Sequence, residues 1–316
     1  MSMFRSNTLR FTVARLALAG ATGLGLASFI ATAGAASRES DVSTVGTLTV
    51  QRHGDHGRAV ILLPGLGGGP WVWQQTIAGL KKNHVVYAVT LAGFDGVPAP
   101  KQAGNLYDRA DASLLQLIRE RKIDKPVLVG HSLGGTLALR FAGEHPELIA
   151  GAVAVDGLPL FPGMDRVSAE QRIAMAANMR KQMAASTRAQ FEAQQLSYMQ
   201  KVGVIDPALA TRYAPLNARS DIAATAEYMA EDLAADGRPA LKNAHVPILE
   251  ISPYNPPDFA SGPLVMSEQQ KADYYRSLLA NAPNAKVISI SPARHFVMLD
   301  QPAKFQQALD DFLKAL

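Results

Sequence analysis

The hydrophobic pattern changes character twice along the chain. Between residues 47 and 155, unbroken apolar runs alternate with stretches in which apolar residues return at helical spacing. The run AVILL at 59–63 ends in Pro64-Gly65, as expected of a parallel strand buried on both faces. Residues 47–51 form a short β-branched run, and 85–89, 126–130 and 149–155 read as further strands. Helices are expected over 71–82, 107–121 and 136–144. This strand-helix alternation predicts the α/β class, with a doubly wound and mostly parallel sheet.

The alternation stops at residue 157. From there to 243 the chain carries no convincing strand, only helical segments rich in Ala, Met and Gln. Six of the ten methionines fall here: Met164, Met175, Met179, Met183, Met199 and Met229. They fit either an adaptable apolar roof over a bound group or an ordinary helix–helix core. Strand signals resume at 247–251 and 286–290, followed by helices at 268–280 and 303–316. The predicted organisation is a core over 36–156 and 244–316, interrupted by a helical insertion at 157–243.

The first 35 residues are read separately. Arg5, Arg10 and Arg15 are followed by the charge-free run LALAGATGLGLASFIATAGAAS, and Ala33-Gly34-Ala35 supplies a small-residue end. That is the pattern of a secretory signal cleaved after Ala35, giving an exported, periplasmic or secreted protein. The run is also long enough to span a bilayer, so an uncleaved N-terminal anchor is the alternative, and the only expected contact with a membrane. Outside the leader, 28 basic residues stand against 27 acidic ones, and no Lys/Arg block stands out. Nucleic acid is therefore not an expected partner. The absence of cysteine excludes disulfides, thiolate metal sites and a cysteine nucleophile. With 48% hydrophobic residues, a chain of this size can hold itself together through its core.

Candidate chemistry begins at LVGHSLGG, residues 128–135. Gly130-His131-Ser132-Leu133-Gly134 matches G-x-S-x-G, with an apolar strand before it and a helix-forming run after it. A serine on such a turn is exposed at the sheet edge, next to the free N–H groups and positive dipole of a helix N-terminus. Ser132 is the expected nucleophile, against the plainer alternative of a tight turn with an incidental serine.

Three separated motifs, LLPGLGGGPWVW at 62–73, LVGHSLGG at 128–135 and ISPARHFVMLDQP at 290–302, resemble the α/β-hydrolase superfamily, specifically its lid-bearing esterases, lipases and proline-iminopeptidases. The resemblance runs from about residue 45 to the end. It implies an eight-stranded sheet, a helical lid over 157–243, and a Ser…acid…His order with no cofactor. It implies oxyanion donors at the backbone N–H groups of Leu66 and Leu133; Pro64 stands where the family usually has histidine, which leaves that backbone role intact. His295 becomes the general base. The acid is open between two residues. Asp258, in the loop after the strand at 247–251, is the first choice, although the prolines of SPYNPPD push it about two residues late. Asp156, directly after the strand at 149–155, is the rival, and Glu250 a poor third. Of the other histidines, His53 and His56 flank a Gly-Asp turn, His84, His145 and His245 sit at element ends, and His131 packs beside the elbow. No spacing suggests a dedicated metal site. The expected activity is hydrolysis of a carboxylic ester of a small or medium apolar substrate. An amidase, aminopeptidase or carbon–carbon bond hydrolase is the alternative within the fold, and a non-catalytic binding protein the alternative outside it.

Overall fold

Apolar strands buried on both faces build the centre of the sheet. The computed structural model describes residues 41–101, 104–261 and 265–316. The leader at 1–35, with its signal or anchor reading, lies outside the described residues. Eight strands form one sheet: β1 Asp41–Val45, β2 Leu48–His53, β3 Ala59–Leu63, β4 Val85–Leu91, β5 Val127–His131, β6 Gly151–Val155, β7 Ile248–Pro253 and β8 Ala285–Ile290. Their order is β1-β2-β4-β3-β5-β6-β7-β8. The β1–β2 and β2–β4 pairs are antiparallel and the other pairs parallel.

On β3, Val60 and Leu62 face one cluster while Ile61 and Leu63 face the other. The first face is covered by α1 (Gln74–Leu80) and, at the far end of the chain, α11 (Pro302–Lys314), through Leu80, Phe305 and Leu309. The opposite face is covered by α2 (Leu106–Glu120) and α3 (Leu133–Glu144), through Leu114, Leu117, Leu137 and Phe141. Each such fully buried side chain contributes about 1.5–3 kcal/mol. A 3₁₀ turn at Pro70–Trp73 precedes α1, so the helix expected over 71–82 begins later than its apolar spacing implies.

One strand escaped the sequence pattern. β1 has no counterpart among the strands expected from the sequence, and only its Val45 is buried. It is a short, polar edge strand, so it lacks the apolar signature of the central ones. Gly46 (φ +56°) makes the turn that returns the chain into β2.

Between β6 and β7 the chain forms α4 (Ala169–Ala184), α5 (Arg188–Tyr198), α6 (Pro207–Asn217) and α7 (Ile222–Ala234). The first two open on capping boxes, Ser168 with Gln171 and Thr187 with Gln190, which explains their sharp starts. α6 and α7 are capped by Asp206 and Asp221. α4 packs on α7 through Ala176, Ala230 and Leu233. Of the methionines here, Met199 is fully buried, whereas Met175 remains exposed. The later helices are α8 (Pro256–Phe259), α9 (Glu268–Leu278) and α10 (Val297–Asp300).

This order sets β5, β6, β7 and β8 side by side, all pointing the same way. The loops that follow them therefore gather at one edge, where open α/β sheets carry their sites.

Candidate active site

Ser132 occupies the first of those loops. It adopts φ 52°, ψ −124°, a conformation that costs a non-glycine residue of order 1–3 kcal/mol and that persists only where its surroundings impose it. The surroundings are tight. A β-carbon at Gly134 would run into the carbonyl oxygens of Leu63 and Pro64, and one at Gly130 into the backbone of Gly134 and Gly135. The glycines two residues either side of the serine therefore let the turn close against β3. Ser132 N–H donates to Val155 O (2.9 Å) and its carbonyl accepts from Thr136 N–H (2.9 Å), so the residue leads straight into α3.

The loop after β3 lies against this turn. A β-carbon on Gly65 would sit 3.1 Å from Ser132 Cβ. Leu66 follows, and Leu133 is the first residue of α3, whose leading N–H groups have no intrahelical acceptor. The loop is braced from the segment between α6 and α7. Ser220 Oγ donates to Gly67 O (2.8 Å) and accepts from Asp95 N–H (3.0 Å), and Ser220 is completely buried.

His295, in the loop after β8, makes its direct hydrogen bond to Asp156: Nδ1 meets Oδ2 at 2.5 Å. Asp156 follows β6 and, like Ser132, is a non-glycine residue with positive φ (50°). Its backbone N–H donates to Ile251 O, which anchors the turn on β7 (3.0 Å). Burial alone would raise the Asp156 carboxyl. Lys271, His295 and Tyr275 outweigh that and hold it well below the usual carboxylate range. A charged carboxylate is thus presented to the imidazole.

His295 meets the elbow through His131, the residue before Ser132. The two rings lie 4.5 Å apart, and His131 Nε2–H donates to the His295 carbonyl (3.0 Å). Burial, reinforced by His295, lowers the His131 imidazole well below its ordinary value, so it is neutral and can make that bond as a donor. Among the described contacts, Ser132 and His295 share no hydrogen bond of their own; such bonds commonly tighten only when substrate arrives. Tyr198, the last residue of α5, stands edge-on to the His295 ring at 6.1 Å, and Phe296 packs against both histidines. Burial and the Asp156 charge raise the Tyr198 phenol, leaving it a neutral hydroxyl.

Asp258 does not serve His295, which corrects the first choice made from the sequence. Pro256 and Pro257 open the short α8, and this turn carries Asp258 outward to Arg294. Arg294 grips it with two hydrogen bonds, Nε to Oδ2 and Nη2 to Oδ1, both 2.7 Å. Those bonds depress the Asp258 carboxyl. Arg294 also donates to the carbonyls of Gln200 (2.8 Å) and Val204 (3.1 Å), and His295 N–H donates to Val202 O (3.2 Å). Asp258 therefore helps fasten the histidine loop to the turn after α5. Glu250 lies inside β7, fully buried, and makes no contact with His295 among the described hydrogen bonds.

Sequence reasoning missed Tyr275, Lys271 and Tyr198. Nothing in their local sequence distinguishes them from ordinary helix residues; positive φ at Asp156 is likewise invisible in sequence. Of the remaining histidines, His56 pairs with Asp55 (2.5 Å), and His84 Nδ1 lies 3.1 Å from Arg58 O. His145 joins Asp111 and Glu144 in a three-residue group of metal-ligand type, which the sequence spacing did not suggest. His145 Nε2 lies 3.4 Å from Asp111 Oδ2 and Arg140 holds Glu144 at 3.0 Å, at the opposite end of α3 from Ser132.

Comparison with known proteins agrees with this architecture. The chain is 18% identical to the enol-lactonase from Burkholderia xenovorans LB400 in crystal structure, with a TM-score of 0.67 over 87% of this chain and 100% of that one. It is 16% identical to the esterase EaEST from Exiguobacterium antarcticum, with a TM-score of 0.68 over 85% and 98% of the respective chains. At these identities the likeness concerns the fold. Among curated relatives, 1-acylglycerol-3-phosphate O-acyltransferase ABHD5 of Homo sapiens is 28% identical over 133 residues, 40% of this chain. The match spans 38% of that relative's length. Residues 60–308 match the alpha/beta hydrolase family. Because that match runs from the second residue of β3 into α11, and so takes in the whole parallel sheet, the chain belongs to the alpha/beta hydrolase family.

Proposed function

We propose that this protein is a serine hydrolase that cleaves a carboxylic ester of a small or medium apolar substrate through an acyl-enzyme on Ser132. The observation that carries the reading is the His295–Asp156 pair beside a serine held at φ 52°. In this reading His295 removes the Ser132 proton as the hydroxyl attacks the ester carbonyl, and Asp156 stabilises the imidazolium that forms. The tetrahedral oxyanion is met by the backbone N–H groups of Leu66 and Leu133. Collapse expels the alcohol, which takes the proton from His295. Water, activated by the same histidine, then releases the acid.

An apolar substrate is supported by the walls around the site. Trp71 stacks on Tyr213 (5.3 Å) and on Phe296 (6.1 Å), giving a buried aromatic cluster next to His131. α5 and α6 flank a groove of about 820 Å³ in which Ala193, Leu196, Ala214 and Ala218 line the wall together with the charged Arg188, Glu192 and Arg219. It reaches Gly96, next to the Asp95 that abuts Gly69 of the oxyanion loop. The helices between β6 and β7 act in this reading as the lid that sets acyl-chain length.

The test is labelling with a fluorophosphonate, followed by a panel of p-nitrophenyl esters of graded chain length, with Ser132→Ala as control. Labelling and hydrolysis that vanish in Ser132→Ala support the reading. A folded wild type that labels but cleaves only anilides or carbon–carbon substrates moves the activity to those bonds; one that does not label at all is a binding protein. Export to the periplasm or medium is proposed on the leader pattern, and is checked by fractionation and by the N-terminal sequence of the mature chain.

A further inference from the structure

Asp156 is held from a second side. While Oδ2 faces His295, Oδ1 accepts the Tyr275 hydroxyl and lies 4.0 Å from Lys271 Nζ. Tyr275 and Lys271 stand four residues apart on α9 and so share one helix face. Neither is a casual surface contact: Tyr275 is 4% exposed, and the Lys271 side chain 13%. Lys271 is itself fixed, donating to the Pro253 carbonyl at the end of β7 (2.5 Å) and lying over the Tyr275 and Phe259 rings at 5.2 and 5.4 Å.

A buried cation is costly unless something nearby requires it. The requirement is visible on the sheet. β6 and β7 pair Ala154 with Glu250 and Val155 with Ile251, so Glu250 lies on the neighbouring strand beside the end of β6, which Asp156 directly follows. Glu250 is fully buried, and neither of its oxygens has a side-chain partner. Burial and the Asp156 charge push the Glu250 carboxyl well above the usual carboxylate range. The triad acid therefore shares a dry interior with a second carboxyl. The groups facing it are His131 and His295, Tyr198 from α5, Glu250 from β7, and Lys271 and Tyr275 from α9; Lys271 brings the one amine among them.

We propose that Tyr275 and Lys271 are positioning residues for the reaction, Tyr275 fixing the rotation of the Asp156 carboxylate so that Oδ2 meets His295 Nδ1, and Lys271 supplying the opposite charge in an interior shared with Glu250. The proposal rests on the serine-hydrolase reading for what His295 does next, but its geometric content concerns only the Asp156–His295 pair. With Oδ1 released, the carboxylate can swing toward Lys271, and the imidazole loses the partner that sets its tautomer and orientation.

The experiment compares Tyr275→Phe, Lys271→Met and Lys271→Arg with the wild-type full-length protein, each checked for folding by its thermal transition. Two quantities are read: kcat and KM on the ester that wild type cleaves fastest, and the downfield proton NMR signal of His295 Nδ1. Tyr275→Phe is expected to lower kcat about tenfold or more while KM stays within about twofold, and to shift or broaden the Nδ1 signal. Lys271→Met is expected to do the same, with Lys271→Arg recovering most of the loss. Folded Tyr275→Phe and Lys271→Met proteins with wild-type kcat and an unmoved Nδ1 signal would overturn the proposal. If wild type cleaves no ester but the Nδ1 signal still responds to both variants, the positioning role stands and the ester reading falls.

Discussion

Replacing each candidate acid by its amide separates them most cleanly. Asp156→Asn keeps the shape of a buried side chain 2.5 Å from His295 Nδ1 but removes its charge and offers an amide N–H where the imidazole needs an acceptor. Other triads lose about 10⁴ in kcat from this change, because the histidine is left in the wrong tautomer. The structure argues for a similar loss here, about 10³–10⁴-fold, equivalent to roughly 4–5.5 kcal/mol of transition-state stabilisation. Asp258→Asn acts on a different object. It weakens a paired Arg294 whose side chain, like that of Asp258, keeps a quarter or so of its surface in solvent (20% and 29%). Such a pair is worth about 1 kcal/mol or slightly more, since it is bidentate. Its effect reaches His295 only through the backbone of the adjacent Arg294, so kcat should fall less than about fivefold while the thermal transition drops by a few degrees. The assay is steady-state hydrolysis of one p-nitrophenyl ester at neutral pH, with melting curves on the same preparations. A drop of a hundredfold or more in Asp258→Asn, together with near-normal turnover in Asp156→Asn, would refute the assignment.

Three further outcomes follow from the packing. Gly134→Ala places a β-carbon against the Leu63 and Pro64 carbonyls, and should cost about 2–3 kcal/mol, read as a lowering of Tm by roughly 5–10 °C with loss of activity. Ser220→Ala leaves the Gly67 carbonyl and the Asp95 N–H without their partner, so the loop after β3, proposed to meet the oxyanion, should loosen and kcat fall severalfold, about 1 kcal/mol, with little change in KM. Asp232 is raised to about 6 by burial, despite hydrogen bonds from Tyr107 and Thr136. The folded protein thus holds that proton more tightly than the unfolded chain, and the contribution to stability is full below about pH 4 and is lost as pH rises to about 6. Asp232→Asn should therefore raise Tm above pH 6, by an amount equivalent to roughly 1–3 kcal/mol, and leave it unchanged in acid; a gain that is the same at both pH values would contradict this.

Much of the architecture is written locally. AVILL at 59–63 announces a strand buried on both faces because its successive side chains must enter two apolar layers, and they do. G-x-S-x-G after such a run announces Ser132, since close backbone approach on both sides demands glycine. Edge strand β1 was not legible, because a strand with one buried residue carries no hydrophobic period. The acid was legible only as a pair of alternatives. Asp156 and Asp258 each follow a strand that ends at the same edge of the sheet, and sequence distance says nothing about which carboxyl turns inward.

Which carboxylate meets His295 was decided by tertiary structure, through backbone geometry and charge. Positive φ at Asp156 aims its side chain toward His295, while the prolines of α8 wind Asp258 out to Arg294. Tyr275 and Lys271 reach Asp156 from more than a hundred residues away. The sequence by itself determined the strand–helix order and the positions of the proposed nucleophile and histidine, because backbone sterics and hydrophobic periodicity act within a few residues. The partner of that histidine is set by low-dielectric electrostatics, which depend on which charges become neighbours after folding, and only the folded chain brings those charges together.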